Sequence, residues 1–533
     1  MATFELVPDD DGDDDGPPAD GSDADTGRAA SAALRDRAAG RWRRLPRRGR
    51  VAVAAGTAVV VLAAATAAVA PGLLDARDQR LRAEAIRGMP GVVGDLSEPV
   101  EPTWSLPATG SVAAVLPDGI AVLGDGTTVT AVDAATGHTV WEHHFDAGGQ
   151  CGPTPWSAAD WATPAETVVC VGSDGATVTV LDPAGEVVGE RQLDLPASAD
   201  DEVDETLPWP HVMPAAGGSV AVLDGGLSAV SVPWREGDDA ASALRTLRDS
   251  GWSDPTMRVE DALTGEVRAE VTIRLTPDDL GGCGITADGL GDSSLDLQPW
   301  IDATPSWTTL TLCGASRTVT PAGDTIDLGD GARTLSALPG GGYVAQGDSS
   351  DLLDEHGAAR ATIDGWALTS LVDTEPDGPV LALLGATDGG SASLAAVGHD
   401  GEPVWRHWIR ALTTPLARVG DTVVVMDEET VTALDTATGE ERWRLGDLVD
   451  ADPEAGEYVT GVVTDGTRLL LALASNTVQD AETGETRSGH RLVALDLRDG
   501  STAWERAGEG ALWGLSAVDG HLVAAGDRVV GLG

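Results

Sequence analysis

The chain has 533 residues, with 34 basic and 86 acidic side chains, a formal charge of −52, and Arg as its sole basic residue type besides His. Such acidity excludes a general nucleic-acid binder or a protein held on anionic lipid, because phosphate charge repels it. Four Cys exclude a disulfide-framework miniprotein, while 42% hydrophobic residues are enough for a large core.

Residues 1–50 read as a disordered cytoplasmic tail. An acidic run, Asp9–Asp15 with Asp20, Asp23 and Asp25, precedes an Arg-rich block from Arg28 to Arg50. Neither block has the apolar periodicity needed to offset ordering entropy. Asp11, Asp13 and Asp15 with Gly16 match the first half of an EF-hand loop. Ser22 stands where that loop needs a bidentate Glu, so a solvated acidic tail explains the run better.

Val51–Leu74 contains no charged residue over 24 positions, and about 20 helical residues cross a bilayer. We expect a transmembrane helix over 51–74. Ala68-Val69-Ala70 resembles a signal-peptide cleavage site, but the apolar stretch is too long and its preceding region too extended for that reading. Six Arg in Arg41–Arg50 abut the span, while Arg on the far side is interleaved with Asp75, Asp78 and Glu84. This asymmetry places the tail in the cytoplasm and the rest outside, a single-pass protein of the cell membrane. Residues 75–100 read as a juxtamembrane helix (Ala76–Ile86) and a Gly/Pro-rich linker.

From Glu101 onward, short β-type runs alternate with Gly/Asp turns. Three segments match in register. Val129–Asp133 continues to Gly137 and Trp141, Val431–Asp435 to Gly439 and Trp443, and Leu492–Asp496 to Gly500 and Trp504. The shared pattern is a β-hairpin. Four alternating residues form a strand, Asp caps the turn through backbone N–H groups, Gly supplies the positive φ, and Trp lies on the returning strand to pack between sheets. Weaker copies occur at Val178–Gly185, Asp261–Gly265 with Ala269 in place of Trp, Thr320–Gly323, Asp354–Gly357 and Gly398–Trp405. Each unit reads as about four antiparallel strands, the spacing of a β-propeller blade. A lone strand, Pro102–Leu106, carries Trp104 where a fourth strand's Trp belongs, so both chain ends should pair in one blade and remove the exposed edges. The unit count reaches nine. We expect eight blades, within bounds of seven to nine, with one unit in Gly282–Gly365 misread.

These Asp-x3-Gly-x3-Trp units resemble the PQQ-like repeat of the quinoprotein alcohol dehydrogenase-like superfamily. The resemblance covers about 101–533. It implies an all-β, PQQ-like β-propeller outside the membrane and does not itself decide function, since the superfamily holds both dehydrogenases and a non-enzymatic outer-membrane assembly lipoprotein. Its dehydrogenases often carry a disulfide between adjacent Cys and a Ca²⁺ site of Glu, Asn and Asp. This chain has no Cys-Cys pair, and its single Asn is Asn476. We therefore assign no catalytic residue, cofactor or metal ligand.

The Cys fall into two pairs, Cys151 with Cys170 and Cys283 with Cys313, each expected to flank neighbouring strands of one blade. Disulfides persist outside the membrane; free thiols and a metal site are the alternatives, the latter opposed by the lack of CxxC or nearby His. His143 and His144 are adjacent and face opposite ways on a strand, and His211, His399, His407 and His490 are isolated. Trp405 and Trp408, with Arg406 and Arg410, either stack on a ligand or pack between blades. Four long loops are binding candidates: Pro196–Pro210, with Asp200, Asp201, Glu202, Asp204 and Glu205, then Arg235–Thr256, Asp278–Trp300 and Ser475–Gly489. Ala240–Leu247 reads as a helical turn or two. The expected task is binding an extracytoplasmic protein or ligand as a scaffold. A membrane-bound PQQ/Ca²⁺-dependent oxidoreductase and an external sensor signalling through a partner are the alternatives.

Overall fold

In the computed structural model the strand–turn–strand unit is a β-hairpin whose residues act as their chemistry dictates. Thr136 N–H donates to Asp133 Oδ1 at 2.9 Å, and Gly137 N–H to the Asp133 carbonyl at 2.8 Å. The other two close copies repeat this: Ala437 and Thr438 N–H donate to Asp435 Oδ1, and Arg498 N–H to Asp496 Oδ1. The repeat's Ala also has a role. Ala131, Ala433 and Ala494 lie directly across the ladder from Trp141, Trp443 and Trp504. Directly opposed residues share a face, so a small side chain there leaves room for the indole.

The structure describes residues 81–533 apart from 82, 107–111, 125, 147, 156, 162, 196–211, 226–229, 235–239, 250, 278, 288–292, 329–333, 348, 386–391, 410–412, 428–429, 447, 450–455, 476–477, 480–485 and 488. The expected tail, the span over Val51–Leu74 and the acidic cluster at 200–205 lie outside the described residues. Among the described residues no helix is long and apolar enough to cross a membrane. The chain divides into units 1–78 and 79–533, and all described residues belong to the second.

That unit is all-β apart from short helices. Among the described residues its strands form nine four-stranded antiparallel meanders. We number them in chain order: sheet 1 (112–144), sheet 2 (149–192), sheet 3 (212–272), sheet 4 (300–327), sheet 5 (334–363), sheet 6 (366–409), sheet 7 (413–445), sheet 8 (457–509) and sheet 9 (512–532 with 102–106). The stretch Gly282–Gly365, expected to contain a misread unit, holds two complete sheets, the fourth and fifth. Sheet 9 joins the chain ends as expected, with Trp104 opposite Gly531 and Leu106 opposite Val529. Sheets 8 and 9 touch through one parallel bridge, Gly461 with Leu515. The first strands of sheets 1 and 2, 2 and 3, 3 and 4, 7 and 8, and 8 and 9 lie against each other, on the inner side of the β-propeller.

Separate apolar clusters fill the gaps between neighbouring sheets. Trp side chains fasten five of these gaps. Trp104, Trp141, Trp405, Trp443 and Trp504 donate Nε1–H to the carbonyls of Ala134, Pro183, Thr436, Leu497 and Leu96 at 2.7–3.0 Å. Each of the first four docks on the turn of the next sheet, over that turn's Gly. A Cβ on Gly439 or Gly500 would come within 2.5 Å of the docked indole. The turn Gly thus answers two needs, a φ near +70° and bare space under a Trp.

In sheets 2 to 5 the Trp is missing. Gly189 occupies its position, Leu263 of the next turn fills the space, and Arg191 Nε donates to the Ala262 carbonyl instead. Ala269, Ile326 and Ala361 hold the next three positions.

The linker expected at Met89–Pro102 is part of the body. Ile86, Val92, Val93, Leu96 and Val100 are buried. The Leu96 carbonyl takes the Trp504 indole N–H, where the other docked Trp meet a turn, and Leu96 N–H donates to Asp465 Oδ2 at 3.0 Å.

Candidate binding face

A four-stranded meander sends its connections to two ends. Links between strands one and two, and three and four, emerge at one end. Links between two and three, and on to the next sheet, emerge at the other. The hairpin turns lie at the first end, and three other segments cover it. The 84–101 segment packs there, with Thr464 N–H donating to the Gly91 carbonyl. The loop 153–167 crosses from sheet 2 to sheet 4, where Ser306 Oγ donates to the buried Asp160 at 2.5 Å. The loop 369–379 sends Val372–Asp373 alongside sheet 7 as a parallel strand.

In that last loop Asp373 and Arg418 form a buried, two-point ion pair, with Nε to Oδ1 at 2.8 Å and Nη2 to Oδ2 at 2.5 Å. Arg418 Nη1 also donates to the Pro379 carbonyl. A cavity of about 220 Å³ lies beside the pair, with Arg360, Asp377 and His399 among its walls. His399 Nε2 faces the Asp377 carbonyl at 3.2 Å. The guanidinium is engaged by its own neighbours, so the pair reads as a clamp on the loop.

All four long loops read from the sequence leave from the opposite end, which we call the insertion face. The loop after sheet 3's second strand forms a strand, Val230–Trp234, and a helix, Ala240–Asp249, longer than the turn or two expected. Two strands from the link to sheet 4, Gly284–Ala287 and Ser293–Leu297, join Val230–Trp234 in a three-stranded sheet. Leu244, Leu247, Trp252, Leu280 and Leu297 merge this annex with the core of sheets 3 and 4. The Ser475–Gly489 loop carries a two-stranded ribbon, Val478–Gln479 with Thr486–Arg487.

Both expected disulfides form. Cys151 and Cys170 face each other on neighbouring strands of sheet 2. The expectation for Cys283 and Cys313 needs correcting. They do not flank neighbouring strands of one blade; their bond ties the link that carries the annex to a turn of sheet 4.

The singled-out aromatics separate. Trp405 is buried packing, whereas Trp408 is 71% exposed. Trp300, Trp366, Tyr458 and Trp513, which drew no notice in the sequence, are exposed too. Each is the first or second residue of its sheet's first strand, so each stands at the inner rim of the insertion face. Strand-start position was the available signal, but it carries no information on exposure. The His stay apart: His144 meets Glu142, His490 the Gly510 carbonyl, and His407 Nε2 is buried without a partner among the described residues. Among the described residues no three His, Cys, Asp or Glu cluster as a metal site.

Hydrogen bonds from the turn hold the carboxyls of Asp133, Asp354 and Asp435 below the usual carboxylate range. Asp435 sits at a pKa of about 2, mainly through the hydrogen bond from Arg442, against some desolvation and with help from the Thr438 and Ala437 N–H groups. Asp302, two residues beyond Trp300, is pushed the other way by desolvation.

Residues 90–252 and 359–532 match a family model described as outer membrane protein assembly factor BamB. The unmatched middle lies within the arc that has lost its docking Trp. No curated protein matches the chain. Solved structures similar to it include BamB from Moraxella catarrhalis, 14% identical, covering 80% of this chain and 84% of that one at a TM-score of 0.27. Saccharomyces cerevisiae Sqt1 is 8% identical, covering 81% and 99% at 0.35. Quinohemoprotein alcohol dehydrogenase ADHIIG from Pseudomonas putida HK5 is 10% identical, covering 81% and 76% at 0.33. With the family model spanning most of the propeller, the chain belongs to the PQQ-like repeat family described as outer membrane protein assembly factor BamB.

Proposed function

We propose that this protein is a scaffold of the cell envelope: a nine-bladed propeller, anchored by the span over Val51–Leu74 with its tail inside, that binds a protein partner and performs no catalysis. One observation carries the reading. The two ends of the propeller are used unequally, one covered by the chain's own segments, the loop 153–167 among them, and the other bearing the annex, the 478–487 ribbon and all four loops singled out in the sequence. Rigid strands presenting variable loops on one end are the usual build of a recognition surface. The family description, an assembly factor, agrees with a scaffold role.

A quinoprotein site fits the residues poorly. The four Cys are joined across 19 and 30 residues, so none remains for a disulfide between adjacent Cys. The test is native mass spectrometry of the full-length protein gently extracted from its own membrane. A co-purifying polypeptide is expected. A bound small molecule of PQQ's mass with calcium, and no polypeptide, would overturn the reading in favour of an oxidoreductase.

A further inference from the structure

Between sheets 6 and 7, toward the insertion face, lies a cavity of about 190 Å³ walled by Trp408 and Ile409 from sheet 6 and by Val425, Asp427, Thr432 and Arg444 from sheet 7. All six stand on described strands. Val425, Thr432 and Arg444 are directly opposite one another across the ladder, and Asp427 lies two residues beyond Val425. Opposed residues, and residues two apart on one strand, share a face, so sheet 7 presents a carboxylate, a hydroxyl and a guanidinium together. Thr432 is 6% exposed, yet its hydroxyl has no hydrogen-bond partner among the described residues, and neither has the Asp427 carboxylate. A buried hydroxyl left without a partner is costly. The repeat does not demand these groups. Sheet 8 fills the places of Val425, Asp427 and Thr432 with Leu471, Leu473 and Val493, all fully buried.

The chemistry of these walls selects the occupant. A carboxylate only accepts hydrogen bonds, a guanidinium only donates them, and a hydroxyl does both. A ligand that satisfies all three carries several groups able to donate and accept, as adjacent alcohol groups are. Charge disfavours an ion of either sign. Arg444 is already held by Glu441 at 2.8 Å, so an anion finds no uncompensated positive group, and a cation drawn to Asp427 shares the cavity with Arg444. Trp408, 71% exposed, and Ile409 supply apolar surface beside the polar row. An indole face takes a flat apolar partner, and a few polar groups then fix its orientation. A pyranose ring has both parts, C–H groups on its face and hydroxyls around its edge.

We propose that the cavity between sheets 6 and 7 binds one ring of a neutral sugar, stacked on Trp408 and hydrogen-bonded by Asp427, Thr432 and Arg444. This goes beyond the scaffold reading, which requires no small-molecule site.

The experiment is saturation-transfer difference NMR on the full-length protein, in a detergent without sugar head groups, with the methyl pyranosides of glucose, galactose, mannose and N-acetylglucosamine. Transfer to the ring protons of at least one glycoside is expected. Thr432→Val keeps the shape of the wall, since sheet 8 accommodates Val at the matching place, and should bind about tenfold more weakly for the lost hydrogen bond. Trp408→Ala should abolish the transfer. Val404→Ser, 60% exposed on the same strand as Trp408, should bind as the parent does. Thermal melts establish that each variant is folded. No transfer to any of the four glycosides would overturn the proposal. So would transfer that Trp408→Ala and Thr432→Val leave unchanged, which would put the sugar elsewhere. Stronger transfer to tetramethylammonium or acetate than to every glycoside would assign the cavity to an ion and overturn it too. Should the glycosides fail while a polypeptide still co-purifies from the membrane, the scaffold reading stands and this inference falls.

Discussion

The double role assigned to the hairpin Gly yields a controlled comparison. Gly500 and Gly420 both have positive φ, +72° and +56°. A Cβ on Gly420 meets nothing within 4 Å, whereas one on Gly500 lies 2.5 Å from Trp443 Cε3. Left-handed backbone costs an L-residue roughly 1–2 kcal/mol, and the lower unfolded-state entropy of Ala returns about 0.4–1 kcal/mol. Gly420→Ala should therefore lose about 1 kcal/mol. Gly500→Ala must also displace the indole. Overpacking adds about 1–3 kcal/mol, and the lost bond from Trp443 Nε1 to the Leu497 carbonyl, 2.9 Å long, about 1 kcal/mol. The excess should be about 2–4 kcal/mol. Urea unfolding followed by Trp fluorescence reports the difference as a shift in midpoint. Hydrogen exchange at the 496–500 turn reports it locally, which matters because a repeat array need not unfold in two states. Equal losses in the two variants would refute the docking argument and leave only the backbone term.

Removing one side of the buried clamp with Asp373→Ala strands Arg418, which is 5% exposed, and should cost about 3–5 kcal/mol, whereas an Asp373→Leu/Arg418→Met pair should come close to the parent; denaturation midpoints decide. Cys283→Ser/Cys313→Ser opens a loop of 30 residues and should cost about 3–4 kcal/mol on the chain-entropy account, with proteolytic cuts appearing first in the 274–299 link. The depressed pKa of Asp435 means its stabilisation is complete above the usual carboxylate pKa near 4 and fades as pH falls through about 2. Asp435→Asn should therefore be weaker at neutral pH and show a shallower loss of stability between pH ~4 and ~2, read from urea midpoints across that range.

Much of the fold is written in short spacings. Asp, Gly and Trp four residues apart specify a hairpin because each acts on its immediate neighbours: a capped turn, a positive φ and a returning strand. The lone Trp104 strand and the final strands are legible as a closing pair because an unpaired edge has no other partner. A degenerate unit cannot be read this way. Sheets 4 and 5 replace the docking Trp with Ile326 and Ala361, and packing against the adjacent sheets supplies what the motif lacks. The Cys pairing was likewise local enough to read, but the place of Cys283 was not, because the annex it holds is assembled from two segments separated by a whole hairpin.

The candidate face depended on the tertiary structure altogether. Four long loops are visible in the sequence as interruptions of a strand pattern. Their shared end follows only once every strand is assigned a direction. Trp405 and Trp408 are three residues apart and identical in kind, yet one is buried against the Thr436 turn and the other stands in solvent. Odd spacing on a strand puts them on opposite faces, and only the neighbouring sheet decides which face is covered. The sequence by itself determined the repeat, the closing of the chain ends and the excess of negative charge, since these are properties of neighbours along the chain and of composition. The arrangement of the sheets alone decided which of the described aromatics remain exposed and at which end of the propeller the long loops gather, because burial is set by residues distant in sequence.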